Sequence, residues 1–348
     1  MPAIKDVAKS AGLSVAVVSK FLKNPDSVRP DTRLRVEAAI AELGYRPSPF
    51  ARSLRTGRSG MYSVVVPDIT NPFFAELFQT IRAEIHRAGF TTLLETAEDL
   101  DGLADSIRSL SVGQVDGLIV CFLDDESLIP RLRSTLPTRT PLVALSWHRP
   151  SEDVCTVELD VKGGMRTVTE HLLALGHRSF AYIGGPAHST VSQQKHAGFT
   201  EAIQAAAVPT DGIRVARVTI GVEAAQAAAA ALLKAGTTPA TAFVCENDVL
   251  AVGALRACRL NGWKVPADVS VTGFDDVPLA TLVEPPLTTV SLPIRDMGLR
   301  AARRLLALSR APSGADPEPA GCPEDVFSTS LVVRGSSGPS QRGSSSIS

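Results

Sequence analysis

The first 46 residues carry apolar side chains at helical spacing. Four of them fall at i, i+3, i+4 and i+7 and so share one helix face: Ile4, Val7, Ala8 and Ala11. Residues 12–14, Gly-Leu-Ser, interrupt this pattern, and Ser14 can cap a second helix over residues 15–22. Pro30 suits the first turn of a third helix, which Gly44 can end. Three short helices with a glycine-containing break predict a helix-turn-helix unit.

A shorter helix is predicted just beyond that unit. Ser48 is a suitable cap, Pro49 a suitable first residue and Gly57 a suitable end. The helix between them makes about two turns, which is too short to persist alone in water. We therefore expect it to need a partner surface.

From Met61 onwards, short β-rich runs alternate with amphipathic helical runs. The first series predicts strands at 62–66, 91–95, 117–122, 142–145 and 156–159 and helices at 75–88, 101–111 and 126–135. The second predicts helices at 161–175, 192–206, 222–235 and 249–261 and strands at 180–184, 215–219, 241–245 and 270–274. Two such series predict two lobes, each with a parallel sheet between helices. Because ligands of these sheets bind at the carboxyl ends of the strands, the cleft between the lobes is the expected ligand site.

The last part of the chain predicts fewer elements. A strand at 288–292, a helix at 295–308 and a strand at 326–333 follow the two series. Residues 311–324 are rich in proline and glycine and are predicted to form a loop. The Ser/Gly-rich residues 335–348 are predicted to be disordered.

Charge is distributed unevenly along the chain. The 348 residues have a formal net charge of −1. Residues 1–60 carry eleven Lys and Arg against five Asp and Glu, a balance of +6, which leaves −7 for the rest. A basic amino-terminal segment on a mildly acidic body favours a polyanion as the partner of that segment.

Composition argues against several classes of protein. No run of eighteen apolar residues could span a membrane and no signal peptide begins the sequence, so we expect a cytoplasmic protein. The five cysteines form no Cys-x-x-Cys pair, which indicates buried free thiols rather than a disulfide framework or a zinc site. The phosphate-loop, nucleophile-elbow and zinc-protease motifs are absent, and the histidines show no ligand spacing. We therefore expect that the protein is not an enzyme and that it binds neither a metal nor a cofactor.

Motifs in a fixed order make a more specific point. The amino-terminal motifs are IKDVA (4–8), VS (18–19), LGYRP (43–47) and ARSLR (51–55). Later motifs are VPDITNPFF (66–74), EHL (170–172), LGHR (175–178), GGP (184–186), ND (247–248), DVSV (268–271), GFDD (273–276) and PLTTV (286–290). From about Ile4 to Gly335, the chain resembles the lactose-repressor (LacI/GalR) family. The resemblance implies an all-α helix-turn-helix headpiece on an α/β, two-lobed effector domain like that of periplasmic binding proteins.

The same resemblance implies how the chain is divided and what it does. The expected parts are a headpiece at 1–46, a hinge helix and linker at 47–60, an effector and dimerisation domain at 61–334 and a disordered tail at 335–348. Lobe 1 would take residues 61–160 and 292–310, and lobe 2 would take residues 161–291 and the C-terminal strand. The expected function is that of a transcriptional repressor which binds a palindromic operator as a homodimer. A transcriptional activator and a solute-binding protein are the alternatives.

By this resemblance, the second helix enters the major groove of DNA. Val15, Ala16 and Lys20 would face base edges; Lys20 can donate to guanine or to a phosphate, and Val15 could simply begin the helix. Five further residues are expected to contact phosphates: Ser14, Ser19, Lys23, Asn24 and Tyr45. Because Val17 and Lys23 stand where many relatives have Thr and Asn, the operator sequence cannot be copied from a relative.

The hinge helix is expected to reach the minor groove. By resemblance, Leu54 would insert between base pairs at the operator centre, one leucine from each subunit. Arg52, Arg55 and Arg58 would add positive charge along the DNA backbone.

Eight residues are expected in the effector site: Phe73, Phe74, Ser146, Trp147, Ser189, Lys195, Asn247 and Asp275. One of the two phenylalanines should stack on the ligand while the other lies in the core. Asp275 should accept hydrogen bonds from the ligand, and Asn247 could either brace its loop or touch the ligand. Aromatic stacking beside polar groups favours a sugar over a purine.

Two of these positions depart from the family pattern. Lys195 stands where many relatives have arginine, and a lysine cannot reproduce the bidentate arginine fork. Ser146 stands where many have aspartate. The identity of the effector is therefore left open. No leucine heptad follows Val333, which argues against a tetramer built by a C-terminal helix.

Overall fold

The computed structural model describes residues 2–45, 58–96, 115–122, 128–136, 140–146, 154–234, 239–310 and 325–341. The chain divides into two units, Met1–Gly60 and Met61–Ser348. The predicted hinge helix between Ser48 and Gly57, the predicted helix at 101–111 and the predicted loop at 311–324 lie outside the described residues.

The first unit contains three helices, α1 (Ile4–Ala11), α2 (Val15–Lys23) and α3 (Pro30–Leu43), with a 3-10 turn at Pro25–Ser27. Its small core consists of Val7, Ala8, Ala11, Val18, Phe21, Val36 and Ala39. Helix α1 ends at Gly12, whose φ of +62° lies in the left-handed region that favours glycine. The prediction of a helix-turn-helix unit is confirmed.

Arg35 of α3 closes the turn between α1 and α2, which the sequence did not predict. Its guanidinium donates to the carbonyl oxygens of Ala11 at 2.6 Å and of Gly12 at 3.0 Å. The end of a helix otherwise leaves such carbonyls without an intrahelical partner. A Cβ at Gly12 would lie 2.9 Å from the guanidinium, which a small shift of the Arg35 side chain could relieve, so the positive φ is the main reason for glycine here.

Lobe 1 of the second unit is a parallel sheet of six strands. They are β1 (Met61–Val66), β2 (Thr91–Thr96), β3 (Leu118–Cys121), β4 (Leu142–Ser146), β5 (Cys155–Leu159) and β11 (Asp325–Phe327). Their order in the sheet is β11-β5-β4-β3-β1-β2. The helices described in this lobe are α4 (Pro72–Arg87), α5 (Leu128–Thr135) and α11 (Ile294–Arg310). Helix α4 starts three residues earlier than predicted because the Asn71 side chain caps it.

Lobe 2 is a parallel sheet of four strands in the order β7-β6-β8-β9. They are β6 (Phe180–Gly184), β7 (Ile213–Arg217), β8 (Ala242–Cys245) and β9 (Ser270–Thr272). Its helices are α6 (Val161–Ala174), α7 (Thr190–Ala205), α8 (Val222–Lys234), α9 (Asp248–Leu260) and the short α10 (Leu279–Leu282). Alternate residues of β6 and β8 belong to two different core clusters, which places apolar packing on both faces of the sheet. The predicted architecture of two parallel-sheet lobes is confirmed.

The end of the chain connects the two lobes differently from the prediction. The single strand predicted at 326–333 is two strands, β11 and β12 (Ser330–Val332). Strand β11 pairs with β5 in the lobe 1 sheet, whereas β12 pairs antiparallel with β10 (Thr289–Ser291). The assignment of the whole C-terminal strand to lobe 2 was therefore wrong. Local β propensity is continuous across this run and cannot show a change of partner.

Residues 335–341 pack against lobe 2, so the predicted disorder of 335–348 is wrong for this stretch. Ser336 is fully buried. Its hydroxyl donates to the Val271 carbonyl at 2.6 Å and accepts from the Thr288 amide at 2.8 Å. The amide of Ser340 donates to the Leu175 carbonyl at 2.9 Å. Serine and glycine allow this close packing because they are small. A Ser/Gly-rich composition by itself nevertheless predicts disorder.

Cysteines follow the prediction at three positions. Cys121, Cys245 and Cys258 are buried free thiols. Cys155, the first residue of β5, is disulfide-bonded, so the prediction of free thiols is wrong there.

Candidate DNA interface and effector site

Helix α2, the predicted recognition helix, presents its amino-terminal half to solvent. Val18 and Phe21 point into the headpiece core, and this fixes which face of the helix is outside. Val15 is 43% exposed, and Ala16 and Lys20 are also exposed. An exposed valine at the start of a helix costs hydrophobic free energy unless a partner covers it. The predicted base-reading residues therefore share the outer face of α2.

Two of the predicted phosphate contacts already have structural roles. The Ser14 hydroxyl caps α2 by accepting from the Val17 amide at 3.3 Å. The Asn24 side-chain oxygen accepts from the Asp26 amide at 3.0 Å and begins the 3-10 turn. Each side chain still has donor hydrogens, so a cap and a phosphate contact are compatible.

The remaining predicted DNA contacts fall into three groups. Ser19 and Tyr45 are half-buried, and Tyr45 packs against the headpiece core. Lys23 is the last residue of α2. Three predicted residues lie outside the described part of the chain: Arg52, Leu54 and Arg55.

In lobe 2, the buried cation Lys195 lies among acceptors from other elements. It is 5% exposed and projects from α7. Its ammonium group lies 3.5 Å from the Asp275 carboxylate and donates to the main-chain carbonyl of Glu246 at 2.8 Å. It also lies 4.0 Å from the centroid of the Phe274 ring. These contacts hold the charge at the carboxyl ends of β8 and β9.

Glu246, which sequence reasoning missed, is a second buried acidic residue beside Lys195. It directly follows β8 and is 3% exposed. Its carboxylate accepts from the Gly185 amide at 2.7 Å and from the hydroxyl groups of Ser192 and, at 3.4 Å, Tyr182. The signal in the sequence that could have predicted it is an acidic residue directly before the Asn-Asp motif.

Arg217, the last residue of β7, supplies the countercharge. Its guanidinium lies 3.7 Å from the Glu246 carboxylate and 5.4 Å from the centroid of the Tyr182 ring. Burial raises the pKa of Tyr182 well above its usual value, and the neighbouring Glu246 adds to this increase. Each buried carboxylate of the pair Glu246 and Asp275 thus has one cation close by.

Asn247 braces its loop. Its side-chain oxygen accepts from the Leu250 amide at 2.9 Å and caps α9. The next residue, Asp248, is buried and accepts from the Thr289 hydroxyl at 2.6 Å and from the Val277 amide at 2.9 Å. Burial raises the pKa of Asp248 to about 8, with the neighbouring Asp275 as the second cause. The carboxyl therefore keeps its proton to a higher pH than an ordinary aspartate does.

Asp275 has an unusual backbone as well as a buried side chain. Its φ is +107°, and that of Asp276 is +56°. Burial raises the pKa of Asp275 to about 6, although Lys195 opposes the shift. Ser189 caps α7 by accepting from the Ser192 amide at 3.4 Å. Asp275 and Lys195 are the two predicted effector residues that the structure brings into direct contact.

The lobe 1 side of the predicted site is mainly aromatic. Phe73 and Phe74 both lie in the main core cluster, with ring centroids 4.9 Å apart, and both rings approach Phe122. The structure exposes neither ring, so the idea that one of them stacks on a ligand stays a prediction. Ser146 ends β4 and is buried. Trp147 lies outside the described residues.

Family comparisons agree with this arrangement. Residues 3–48 match the model of bacterial regulatory proteins of the lacI family, and residues 169–337 match a periplasmic binding protein-like domain. The DegA transcriptional regulator of Bacillus subtilis is 33% identical over 97% of this chain and 98% of its own length. The chain belongs to the lacI family.

Other members of the lacI family are similar over most of their length. The CytR repressor of Escherichia coli is 32% identical, covering 96% of this chain and 95% of its own. Among solved structures, the lac repressor dimer bound to operator and an anti-inducer has a TM-score of 0.84 at 27% identity, covering 97% of this chain and 99% of that one. A CelR–cellobiose complex has a TM-score of 0.69 at 30% identity, covering 97% of this chain and 100% of that one. The lacI-family chain described here is accordingly a helix-turn-helix transcriptional regulator.

Two features are absent from the described residues. No helix among them is long and apolar enough to cross a membrane. No group of three or more His, Cys, Asp or Glu in the same part of the chain is placed to hold a metal ion.

Proposed function

We propose that the protein is a repressor that binds a two-fold symmetric operator as a homodimer and responds to a small effector in the cleft between its lobes. The carrying observation is the outer face of α2, where Val15, Ala16 and Lys20 are exposed on a helix that the core orients. The similar lac repressor binds its operator as a dimer. Because its target is chromosomal DNA, we place the protein in the cytoplasm, and we assign it no catalytic turnover.

The headpiece residues divide the work of DNA recognition. Lys20 donates to guanine in the major groove, while Val15 and Ala16 make apolar contacts such as those to a thymine methyl group. Phosphate contacts set the register, and we assign them to Ser14, Ser19, Lys23, Asn24 and Tyr45. The hinge residues Leu54, Arg52 and Arg55 are proposed on sequence alone to enter the minor groove and neutralise the backbone there.

The charges of lobe 2 favour an uncharged, hydroxyl-rich effector. Lys195 is paired with Asp275, and Arg217 with Glu246, so neither cation is left to attract a phosphate. A neutral sugar offers the donors that buried carboxylates need, whereas a sugar phosphate would bring a further negative charge near them. Cellobiose in the CelR complex and ribose in an Enterococcus faecium regulator are neutral sugars.

The effector would act through two arrangements of the lobes. A ligand that binds one arrangement more tightly shifts the population toward it and changes the spacing of the paired hinges. The difference in affinity between the two arrangements sets the size of the response.

Selection of bound duplexes from random DNA by the purified full-length protein tests the DNA-binding proposal. A palindrome with an easily kinked central step is the expected result. Repeating the binding with ribose, cellobiose or maltose, each beside its phosphorylated counterpart where one exists, tests the effector class. Enrichment of no duplex at modest salt would refute the DNA proposal, and a response to sugar phosphates alone would refute the proposed effector class. The position of the site relative to the promoter separates repression from activation.

A further inference from the structure

Asp275 and Asp276 are two successive non-glycine residues in the left-handed region, with φ of +107° and +56°. Each such residue is strained and persists only where surrounding contacts hold it. Aspartate tolerates the left-handed region better than most residues, but two in succession still need support. Since strain of this kind clusters at functional sites, the contacts that maintain it become informative.

Main-chain groups of this loop are fixed one after another. The Phe274 carbonyl accepts from the Asp248 amide at 2.8 Å, and the Asp275 amide donates to the Val290 carbonyl at 2.9 Å. The Val277 amide donates to the Asp248 carboxyl at 2.9 Å. These bonds hold both ends of the strained pair but leave the Asp276 side chain to another partner.

Arg334 is that partner. Its guanidinium donates to the Asp276 carboxylate at 2.6 Å and to the Leu287 carbonyl at 2.9 Å. Its main-chain amide donates to the Thr288 hydroxyl at 2.9 Å. The side chains of Arg334 and Asp276 are both 19% exposed, so water screens the pair only partly. The planar fork of arginine can serve a carboxylate and a carbonyl at once, which a lysine ammonium group matches poorly.

The position of Arg334 in the chain shows which parts of the domain this contact connects. Strand β11 belongs to the lobe 1 sheet, and the chain then crosses to β12, which pairs with β10. Arg334 follows β12 by two residues and reaches the loop that carries Asp275. A segment tied to lobe 1 thus ends on the effector loop of lobe 2.

We propose that Arg334 is a positioning residue for the effector site: by bonding Asp276 it keeps the Asp275 carboxylate in place and links the crossing segment to the cleft. The part that concerns the effector rests on the proposed function. Arg334 touches no ligand in this scheme, and it acts through the backbone of Asp275 and Asp276. Relative movement of the lobes that shifts β12 would move Arg334, and with it the Asp275 carboxylate.

Hydrogen exchange on the full-length protein tests the positioning role directly. Arg334→Gln removes the bond to Asp276, and Arg334→Lys should restore part of it. We expect the amides of Asp275 and Val277 to exchange at least tenfold faster in Arg334→Gln, with an intermediate rate in Arg334→Lys and no change in β8. Arg295→Gln is the matched control, because Arg295 pairs with Glu76 in lobe 1 and is largely exposed.

A second variant covers the case in which Arg334→Gln does not fold. Asp276→Asn keeps a side chain suited to the left-handed region but weakens the charge-assisted bond. It should raise exchange at the same two amides by a smaller factor. Faster exchange spread evenly through lobe 2, or none at Asp275 and Val277 in any folded variant, would overturn the proposal.

Sugar binding then separates this proposal from the proposed function. Calorimetry with ribose, cellobiose and maltose should show about tenfold weaker binding by Arg334→Gln of whichever sugar the wild type binds, while operator affinity without sugar stays unchanged. Equal sugar affinity in the two proteins would contradict the link to the cleft. A wild type that binds none of the three counts against the sugar effector, whereas the exchange rates still decide the role of Arg334.

Discussion

The headpiece and the lobe 2 site place their functional side chains in opposite environments. On α2, Val15, Ala16 and Lys20 stand in solvent above a core of small residues. In lobe 2, Lys195 and Asp275 are almost completely buried and depend on each other and on their neighbours. Exposed cations that contribute little to folding can bind a polyanion. A small ligand instead needs polar side chains that are already desolvated and oriented.

This difference predicts how substitutions behave. In the headpiece, the residues proposed to read DNA can be changed with little loss of stability, because they contribute little to the core. In lobe 2, a change to a functional charge also leaves a buried partner without its countercharge, so function and stability fall together.

Glu246→Ala should be the most damaging of these changes. It leaves the Gly185 amide, the Ser192 hydroxyl and the Arg217 guanidinium without their shared acceptor. We expect the free energy of unfolding of the effector domain to fall by about 3 kcal/mol or more, measured by urea denaturation. Glu201→Ala is the control, because Glu201 pairs with Lys162 where both are well exposed, and it should cost less than about 1 kcal/mol. Equal losses in the two variants would show that burial of the charge does not set its cost.

Asp248 should make the stability of the effector domain fall as pH rises. Its pKa is about 8 in the folded protein against 3.8 for the ordinary group, so between these values the folded state binds the extra proton. The resulting stabilisation is complete below the lower pKa and is lost as pH rises through the upper one, at no more than about 1.4 kcal/mol per pH unit.

Comparison with Asp248→Asn between pH 6.5 and 8 isolates this effect. Burial lowers the pKa of His171, His177 and His196, so near pH 6.5 the unfolded chain binds more protons at these histidines, and stability rises with pH on their account in both proteins alike. The free energy of unfolding of the wild type relative to that of Asp248→Asn should fall by up to about 2 kcal/mol over the interval. Denaturation curves of both proteins at several pH values measure it. Parallel pH dependence in the two proteins would show that the carboxyl ionises normally.

Alternating patterns in the sequence predicted both parallel sheets, because each strand and helix buries its own apolar face. They did not predict that β11 and β12 join different sheets, since the run from Val326 to Val333 looks the same whichever partner it takes. Asp275 was predicted through the GFDD motif, and Lys195 through its position where many relatives have arginine. Glu246, Arg35 and Arg334 were missed because their roles depend on partners distant in the chain.

Lys20→Ala should weaken operator binding by about 1–3 kcal/mol, as expected for loss of a contact to a guanine edge. Stability should change by less than about 0.5 kcal/mol, because Lys20 is exposed. Fluorescence anisotropy with the selected operator and with a duplex altered at the contacted base pair measures both affinity and specificity. Lys162→Ala, a change in lobe 2, is the charge-matched control. An equal loss of affinity for both duplexes would show that Lys20 contacts a phosphate and does not read a base.

Ser14 combines a structural role with a proposed functional one, since its hydroxyl caps α2 and is also a proposed phosphate contact. Ser14→Ala should lower headpiece stability by about 1 kcal/mol and weaken DNA binding as well. Ser14→Asp should keep the cap, because a carboxylate accepts from the Val17 amide, yet it should bind DNA more weakly than Ser14→Ala, since its negative charge would face a phosphate. Thermal unfolding and operator titration of the two variants separate the effects. If the aspartate variant instead matched the wild type on DNA, Ser14 would be a cap alone, and the outer face of α2 would begin at Val15.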